Sequence, residues 1–531
     1  MSGRPELPAD LRGINVRDFL EQTAARDPQR AFIRTRSGDI SYAAFDRDAS
    51  RAAAAWQELG VGRGDRVVFM ADNGPEFLVA WLGLAKIGAI LVAVNTRFQA
   101  SETQYLIEHA EPKLALASPA HADVLAAAAT AAGRSEALLG LGATVGDGDF
   151  LARLGRQQDR YDREPIAADD VISFIYTSGT TGRPKAVMQT HGNYVLTGQA
   201  YPTWLRLQPG ATLYCCLPLF HINAQAYSSM GTIGLGGTLG LVERFSATQF
   251  WGDVVSMGAN AFNYIGAIVA ILMQRVPEPA EREHAIQVAY GAPSFPEDQR
   301  RAIEDRFGFA VMSGFGMSET TFGLTEQPVR DRPSASIGRP RLHPDPRITN
   351  EVRIVDDAGR DVPVGQVGEL IIRNPVTMKG YFRDPERTAE ALRDGWLYTG
   401  DYVRCDEQGF YYYVDRKKDI VRRRGENVSS VEVEVTLLDH PAVEEAAVIG
   451  VPAELSDEEI VAIVVPRAGA TPDPPDLAQW CADRLADFKV PRYVLIVDEL
   501  PKTPTQKVEK VKLRASVGTD RTDWWDREAA R

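Results

Sequence analysis

An apolar run, Val171-Ile172-Ser173-Phe174-Ile175, leads directly into Tyr176-Thr177-Ser178-Gly179-Thr180-Thr181-Gly182-Arg183-Pro184-Lys185. A strand that empties into such a loop constrains the fold more than any other feature of the chain. Gly179 and Gly182 allow the backbone to turn tightly and bring its N–H groups to an anion, Thr177, Ser178, Thr180 and Thr181 add hydroxyl donors, and Lys185 supplies a positive charge. The ligand this predicts is a polyphosphate. The spacing differs from that of the common nucleotide-triphosphatase loop, in which four residues separate the glycines and Ser or Thr follows the lysine. Here only Thr180 and Thr181 separate them, and Ala186 follows Lys185. Taken alone, a Gly/Ser/Thr cluster is more often a plain connection between two strands.

Ordered downstream segments shift that balance. Gly314-Phe315-Gly316-Met317-Ser318-Glu319-Thr320, Tyr398-Thr399-Gly400-Asp401, Asp415-Arg416-Lys417-Lys418-Asp419, Arg422-Arg423-Arg424-Gly425-Glu426-Asn427 and Pro501-Lys502-Thr503-Pro504-Thr505-Gln506-Lys507 follow the loop in turn. With it they resemble, in content and order, the signature segments of the adenylate-forming superfamily, which comprises acyl-CoA synthetases, peptide-synthetase adenylation domains and luciferases. The resemblance spans residues 171 to 507 and is closest to the crotonobetaine/carnitine-CoA ligase-like group.

The resemblance implies roles for particular residues. Phe315 lies against adenine, with Gly291-Ala292-Pro293 bordering it, Ser318 meets phosphate and Glu319 holds Mg2+. Asp401 takes the ribose hydroxyls, since a carboxylate accepts two hydrogen bonds at once. Arg416 assists there, Lys418 is the hinge, Gly425 and Glu426 lie on the loop near the pantetheine arm of CoA, and Lys507 bridges acyl carboxylate and α-phosphate. Phe315 and Ser318 stand where the family usually has Tyr and Thr, and Arg424 stands where it often has a first glycine. The segment Phe220-His221-Ile222-Asn223-Ala224-Gln225 resembles the gate of the acyl pocket, so His221, Ile222, Asn223, Gln225, Ile265 and Phe322 are the expected pocket residues. His221 could equally be a core histidine.

The implied activity is ATP-dependent ligation of a carboxylic acid to CoA, through an acyl-adenylate with pyrophosphate release and then a thioester with AMP release. ATP, Mg2+ and CoA are the implied cofactors. The alternatives are an adenylating enzyme that passes its acid, even nitrite, to an amine, and a non-catalytic binding protein on the same fold. No Asp stands in the gate segment to meet an α-ammonium group, and about two dozen residues follow Lys507, so a stand-alone ligase is favoured over a peptide-synthetase module.

Local patterns predict an α/β fold. Strand-like Ala285 to Tyr290 precedes Ser294 and Glu297, which read as a capping box opening a helix that stops at Gly308. A strand from Ala310 to Ser313 follows, and this order implies a parallel sheet with sites at its carboxyl edge. The family resemblance implies the organisation: a large N-terminal AMP-binding domain over 1–417, made of two parallel-sheet subdomains (about 1–170 and 171–340) and a small β-barrel (341–415), and a smaller mobile α+β domain over 418–531 after the hinge at Lys418. In it the patterns place a helix over Ser430 to Leu438, strands at Ala446 to Val451 and Ile460 to Val465, a surface connection over Ala470 to Pro475, a helix over Leu477 to Phe488 and a strand near Tyr493 to Val497.

Composition excludes several classes. A net charge of −13 with no RNA-binding signature argues against nucleic acid despite the basic run at 415–424. Phe77 to Val94, the longest apolar stretch, is broken by Gly83, Lys86 and Gly88 and reads as a buried helix leading into a strand, not a membrane span. Four cysteines give neither a disulfide framework nor a metal cluster. A cytoplasmic enzyme, monomeric or homodimeric, is expected.

Overall fold

The computed structural model describes residues 5–134, 138–146, 148–177, 184–329, 331–423, 426–453, 458–502, 508–517 and 524–529. These form two compact units, the first from residues up to 352 together with 372–398, the second from 353–371 and 399 onward.

The first unit holds two parallel-rich sheets. One runs in the order Leu138–Gly140, Leu114–Ala117, Arg66–Met70, Ile90–Ala93, Val171–Thr177, Lys185–Thr190, with only the last pair antiparallel. In the other, Ala31–Thr35, Thr238–Leu241, Thr212–Cys215, Ala261–Ile265, Val288–Ala292 and Ala310–Met317 lie side by side and parallel. Gly38–Ser41 adds antiparallel at one edge, Thr320–Thr325 and Ser336–Pro340 at the other. Near-continuous apolar strands such as Val67, Val68, Phe69 and Met70 are what a sheet covered on both faces requires. The stretch from Phe77 to Val94 is the buried helix Pro75–Lys86 followed by the strand Ile90–Ala93. Lys86 is fully buried and survives there because Glu21 and Asp46 pair with it at 2.6 and 2.8 Å. No described helix is long and apolar enough to cross a membrane.

The helix after Gly291 spans Glu297–Phe307 and ends on Gly308 in the left-handed conformation (φ +87°). Its start corrects the capping-box expectation. The N-cap is Pro296, and Ser294 donates instead to the Ala335 carbonyl at 3.2 Å. Pro296 holds φ at −53° with ψ at 154°, and its ring carries no acceptor, so no side-chain cap is used.

In the second unit Ser430–Leu438 is a helix capped by Ser429, and Val443–Pro452, Glu458–Pro466, Tyr493–Ile496 and Trp525–Asp526 form one sheet. Apolar clusters cover both of its faces. The helix expected over 477–488 instead spans Pro474–Ala482, with a separate turn at Asp487–Lys489. Pro474 sits at its first turn, where a missing N–H is harmless. The small barrel is also corrected. Glu351–Val355, Gly368–Arg373, Trp396–Cys405 and Tyr411–Arg416 hydrogen-bond in that order as an open row, and no closed barrel exists among the described residues.

Candidate active site

Strand Val171–Thr177 delivers Tyr176 and Thr177 to the start of the phosphate loop, and Lys185 returns opposite Thr177 in the antiparallel register. Ser178, Gly179, Thr180, Thr181 and Gly182 lie outside the described residues. Both described ends are gripped by one helix, Ala100–Ala110. Tyr105 donates to the Pro184 carbonyl at 3.1 Å, and one turn later His109 Nδ1 meets the Tyr176 hydroxyl at 2.8 Å. Burial lowers the His109 pKa, which keeps the ring neutral and able to share that bond. Nothing in the sequence around Tyr105 and His109 signalled this brace, because its partners lie about seventy residues away.

The expected metal ligand sits close to this lysine. Ala310–Met317 and Thr320–Thr325 form a tight hairpin with Ser318 and Glu319 at its turn. Gln189 donates to the Ser318 carbonyl at 2.5 Å, and the Met378 N–H donates to the Glu319 carbonyl at 2.7 Å. The Glu319 side chain is buried and accepts from the Tyr381 hydroxyl at 2.8 Å. Lys185 Nζ lies 4.2 Å from the centre of the same Tyr381 ring. Tyr381 thus joins Lys185 and Glu319, a residue that no sequence pattern singled out. Its own pKa is raised by burial and then by the neighbouring carboxylate, so the hydroxyl stays a donor. A single preorganised carboxylate fits Mg2+, which commonly takes one or two carboxylates and completes its shell with water and phosphate.

Phe315 is buried at the same strand end, while Gly316 beside it is exposed. Side chains at Gly314 and Gly316 would collide with the Tyr290 and Tyr227 hydroxyls, so these positions keep the backbone close to its neighbours. Gly291 and Ala292 end strand Val288–Ala292, and the Pro293 carbonyl accepts from Ser313 at 3.3 Å.

The second sheet reverses direction between Thr212–Cys215 and Ala261–Ile265, since the chain builds outward from Thr212–Cys215 to one side and from Ala261–Ile265 to the other. Ligands of open α/β sheets bind past the carboxyl ends of the strands at such a reversal. There lie His221, Ile222 and Asn223, partly exposed, and Ile265, half exposed. A π-helical stretch, Asn223–Ser229, opens at this point, a form frequent at functional sites. Asn223 accepts from Asn263 at 2.6 Å. Gln225 and Phe322 are fully buried. Gln225 donates to the Leu219 carbonyl at 2.7 Å and accepts from Tyr194 at 2.6 Å and Ser173 at 3.2 Å, so it ties the gate to the strand feeding the phosphate loop.

Within the second unit Asp401 and Arg416 face each other across paired strands, Nε to Oδ1 2.8 Å, with Asp401 buried. Asp415 caps the helix Ser430–Leu438. Its Oδ2 accepts from the Ser430 N–H and hydroxyl, both at 2.6 Å. Burial lowers the Lys418 pKa. The basic run does not form a bare cationic face. Lys417 pairs with Asp357 and Glu369 at 2.8 and 2.9 Å, and buried Arg423 pairs with Glu459 at 2.7 Å. Glu426 is exposed, whereas Gly425 and Lys507 lie outside the described residues.

Residues 20–382 match the family model for AMP-binding enzymes, and residues 432–507 match that for the AMP-binding enzyme C-terminal domain. A crotonobetaine/carnitine–CoA ligase from Salmonella arizonae is 34% identical over 520 residues, covering 94% of this chain and 99% of that protein. One from Escherichia coli O8 is 34% identical over 488 residues, 89% and 93% of the two chains. Among solved structures, ATP-bound MatB from Rhodopseudomonas palustris superposes with a TM-score of 0.84 at 29% identity, over 95% of this chain and 99% of that one. The o-succinylbenzoate CoA synthetase of Bacillus subtilis, holding its acyl-adenylate intermediate, gives 0.81 at 25% identity over 95% and 98%.

Proposed function

The chain belongs to the AMP-binding enzyme family and is an AMP-forming acid–CoA ligase that uses ATP, and from that premise we propose how its residues divide the reaction. A carboxylate is a poor acyl donor because its leaving group would be oxide. The acid therefore attacks the α-phosphate of ATP, pyrophosphate leaves, and CoA thiol then displaces AMP. Negative charge gathers on phosphate oxygens in the first step. The loop from Thr177 to Gly182 and Lys185 hold the phosphates, and Ser318 contacts them. Glu319 holds Mg2+, which offsets phosphate charge when bound. Gly291, Ala292, Pro293, Gly314, Phe315, Gly316 and Met317 border the adenosine, Asp401 takes the ribose hydroxyls with Arg416 beside it, and Lys507 bridges carboxylate and α-phosphate.

The observation that carries this reading is the Lys185–Tyr381–Glu319 constellation. It places a cation and a buried carboxylate beside the described ends of one loop, as polyphosphate with Mg2+ requires. The acid is a short or medium one with a polar or aromatic group, because His221, Asn223 and Ile265 mix polar and apolar surface at the sheet's reversal. The part from Lys418 onward, including Gly425 and Glu426, turns between the half-reactions and then serves CoA. The compartment is the cytoplasm and the enzyme is a monomer or homodimer.

An acid-dependent pyrophosphate-release screen, run with and without CoA, tests the reading. AMP is the expected nucleotide product; ADP as the main product overturns it. Lys507→Ala is expected to slow adenylation by roughly 10²–10³-fold, as for the loss of one preorganised donor, and to spare thioester formation from supplied acyl-AMP. Lys418→Pro is expected to do the reverse. Equal damage to both steps in Lys507→Ala would make that lysine structural.

A further inference from the structure

Arg341 is only 1% exposed. Its Nε donates to the Leu324 carbonyl at 3.1 Å, Nη1 to the Tyr227 hydroxyl at 2.7 Å and to the Thr321 carbonyl, and Nη2 to the Tyr290 hydroxyl. Each of these acceptors is a neutral oxygen. Among the described residues no carboxylate pairs with Arg341, unlike buried Arg423, Arg300 and Arg332. The guanidinium lies 4.7 Å from the ring centre of Trp204 and meets Tyr227 and Tyr290 at their hydroxyls, so phenol and carbonyl dipoles and one ring face surround it.

This arginine backs onto Gly316. Gly316 is exposed, and the point where its Cβ would stand is 2.9 Å from the Tyr227 hydroxyl and 3.3 Å from Arg341 Nη1. Tyr227 belongs to the π-helical stretch that begins at Asn223, and Tyr290 directly precedes Gly291. A positive charge with no paired carboxylate among the described residues therefore lies one backbone layer behind the surface that carries Gly316.

We propose that Arg341 is a specificity-determining residue. By its buried charge it selects acids whose distal end is neutral or anionic and rejects acids with a quaternary ammonium end. This rests on the reading that the acid lies against Gly316 and the His221–Asn223 gate. A cationic tail meets a like charge that no described carboxylate pairs with, and a neutral tail of the same shape does not.

The test uses the full-length protein and two matched acid series of increasing length, one ending in a tert-butyl group and the other in its trimethylammonium isostere. Pyrophosphate release gives kcat/KM for each pair. The wild type is expected to favour the neutral member by roughly 30-fold or more, the size of a like-charge repulsion across about 8 Å at an intermediate effective dielectric. Arg341→Met should shrink that ratio below about 5-fold, and Arg341→Lys should keep it. Equal use of both members by the wild type overturns the proposal, and so does an unchanged ratio in a folded Arg341→Met protein. If Arg341→Met does not fold, the wild-type ratio still decides. Absence of release from every acid overturns the ligase mechanism, and this proposal with it.

Discussion

Tyr381 places its hydroxyl on Glu319 and its ring face under Lys185, so a single side chain orients two groups of opposite charge. Tyr381→Phe keeps the ring and removes the hydrogen bond to a carboxylate, worth about 1.5–3 kcal/mol. The expected result is a Mg2+ requirement raised roughly tenfold with the KM for the acid unchanged, read from pyrophosphate release across a Mg2+ titration. An unchanged Mg2+ requirement would mean that Glu319 needs no such orientation. At the proposed ribose contact, Asp401→Asn is expected to raise the KM for ATP by about 10- to 100-fold, because an amide accepts less strongly than a carboxylate and frees Arg416 from its partner. Lys185, Glu319, Asp401 and Arg416 stood out in the sequence as candidates because each sits in a short run that resembles a family segment. Tyr381 and Arg341 did not, since each acts through partners far away in sequence, 62 residues in the bond of Tyr381 to Glu319 and 114 in that of Arg341 to Tyr227.

At the scale of elements, helix Ala100–Ala110 braces both described ends of the proposed phosphate loop. Tyr105→Phe removes its bond to the Pro184 carbonyl and leaves the packed ring. The KM for ATP should rise roughly tenfold, the effect of about 1.4 kcal/mol, while the melting temperature moves by no more than a few degrees; a large melting shift with unchanged KM would make the brace purely structural. Periodicity and end signals predicted most elements correctly. Ser430–Leu438 was legible to the residue because an apolar helical pattern follows a serine N-cap. Pro296 and Pro474 misled the helix starts, since proline ends one conformation and opens another with equal ease. The small barrel failed for a different reason, because alternation shows that strands exist but not whether their row closes.

For the whole molecule, acid should unfold this protein well before its surface carboxylates are exhausted. Burial lowers the pKa of His191 to about 3. Its Nδ1 accepts from the Val16 N–H at 3.2 Å, and its Nε2 has no hydrogen-bond partner among the described residues. Burial also lowers His109, His284 and His343. Each binds a proton more readily once unfolded, so the stability is whole above about pH 6.5 and falls as pH drops toward the folded values. His191 alone accounts for about 4–5 kcal/mol of that loss by pH 3. Glu21 adds to the loss at lower pH. Burial pushes its pKa up, but hydrogen bonds from Arg163 and Lys86 outweigh this and bring it to about 2. Denaturant unfolding followed from pH 8 to pH 4 should show stability declining from about pH 6.5, with a shallower decline in His191→Gln if that variant folds. A flat profile across this range would show that the histidines are hydrated in the native state.

The Asp415 cap bears on timing. It hydrogen-bonds across Lys418, joining the end of strand Tyr411–Arg416 to the first turn of helix Ser430–Leu438. If the chain turns at Lys418 as proposed, the rotation must release or carry these bonds, and the same carboxylate that finishes a helix would then act as a latch. Each 1.4 kcal/mol held by a latch lengthens the dwell before it opens about tenfold. On that proposal, one aspartate would set how long the enzyme waits between making its adenylate and handing it on.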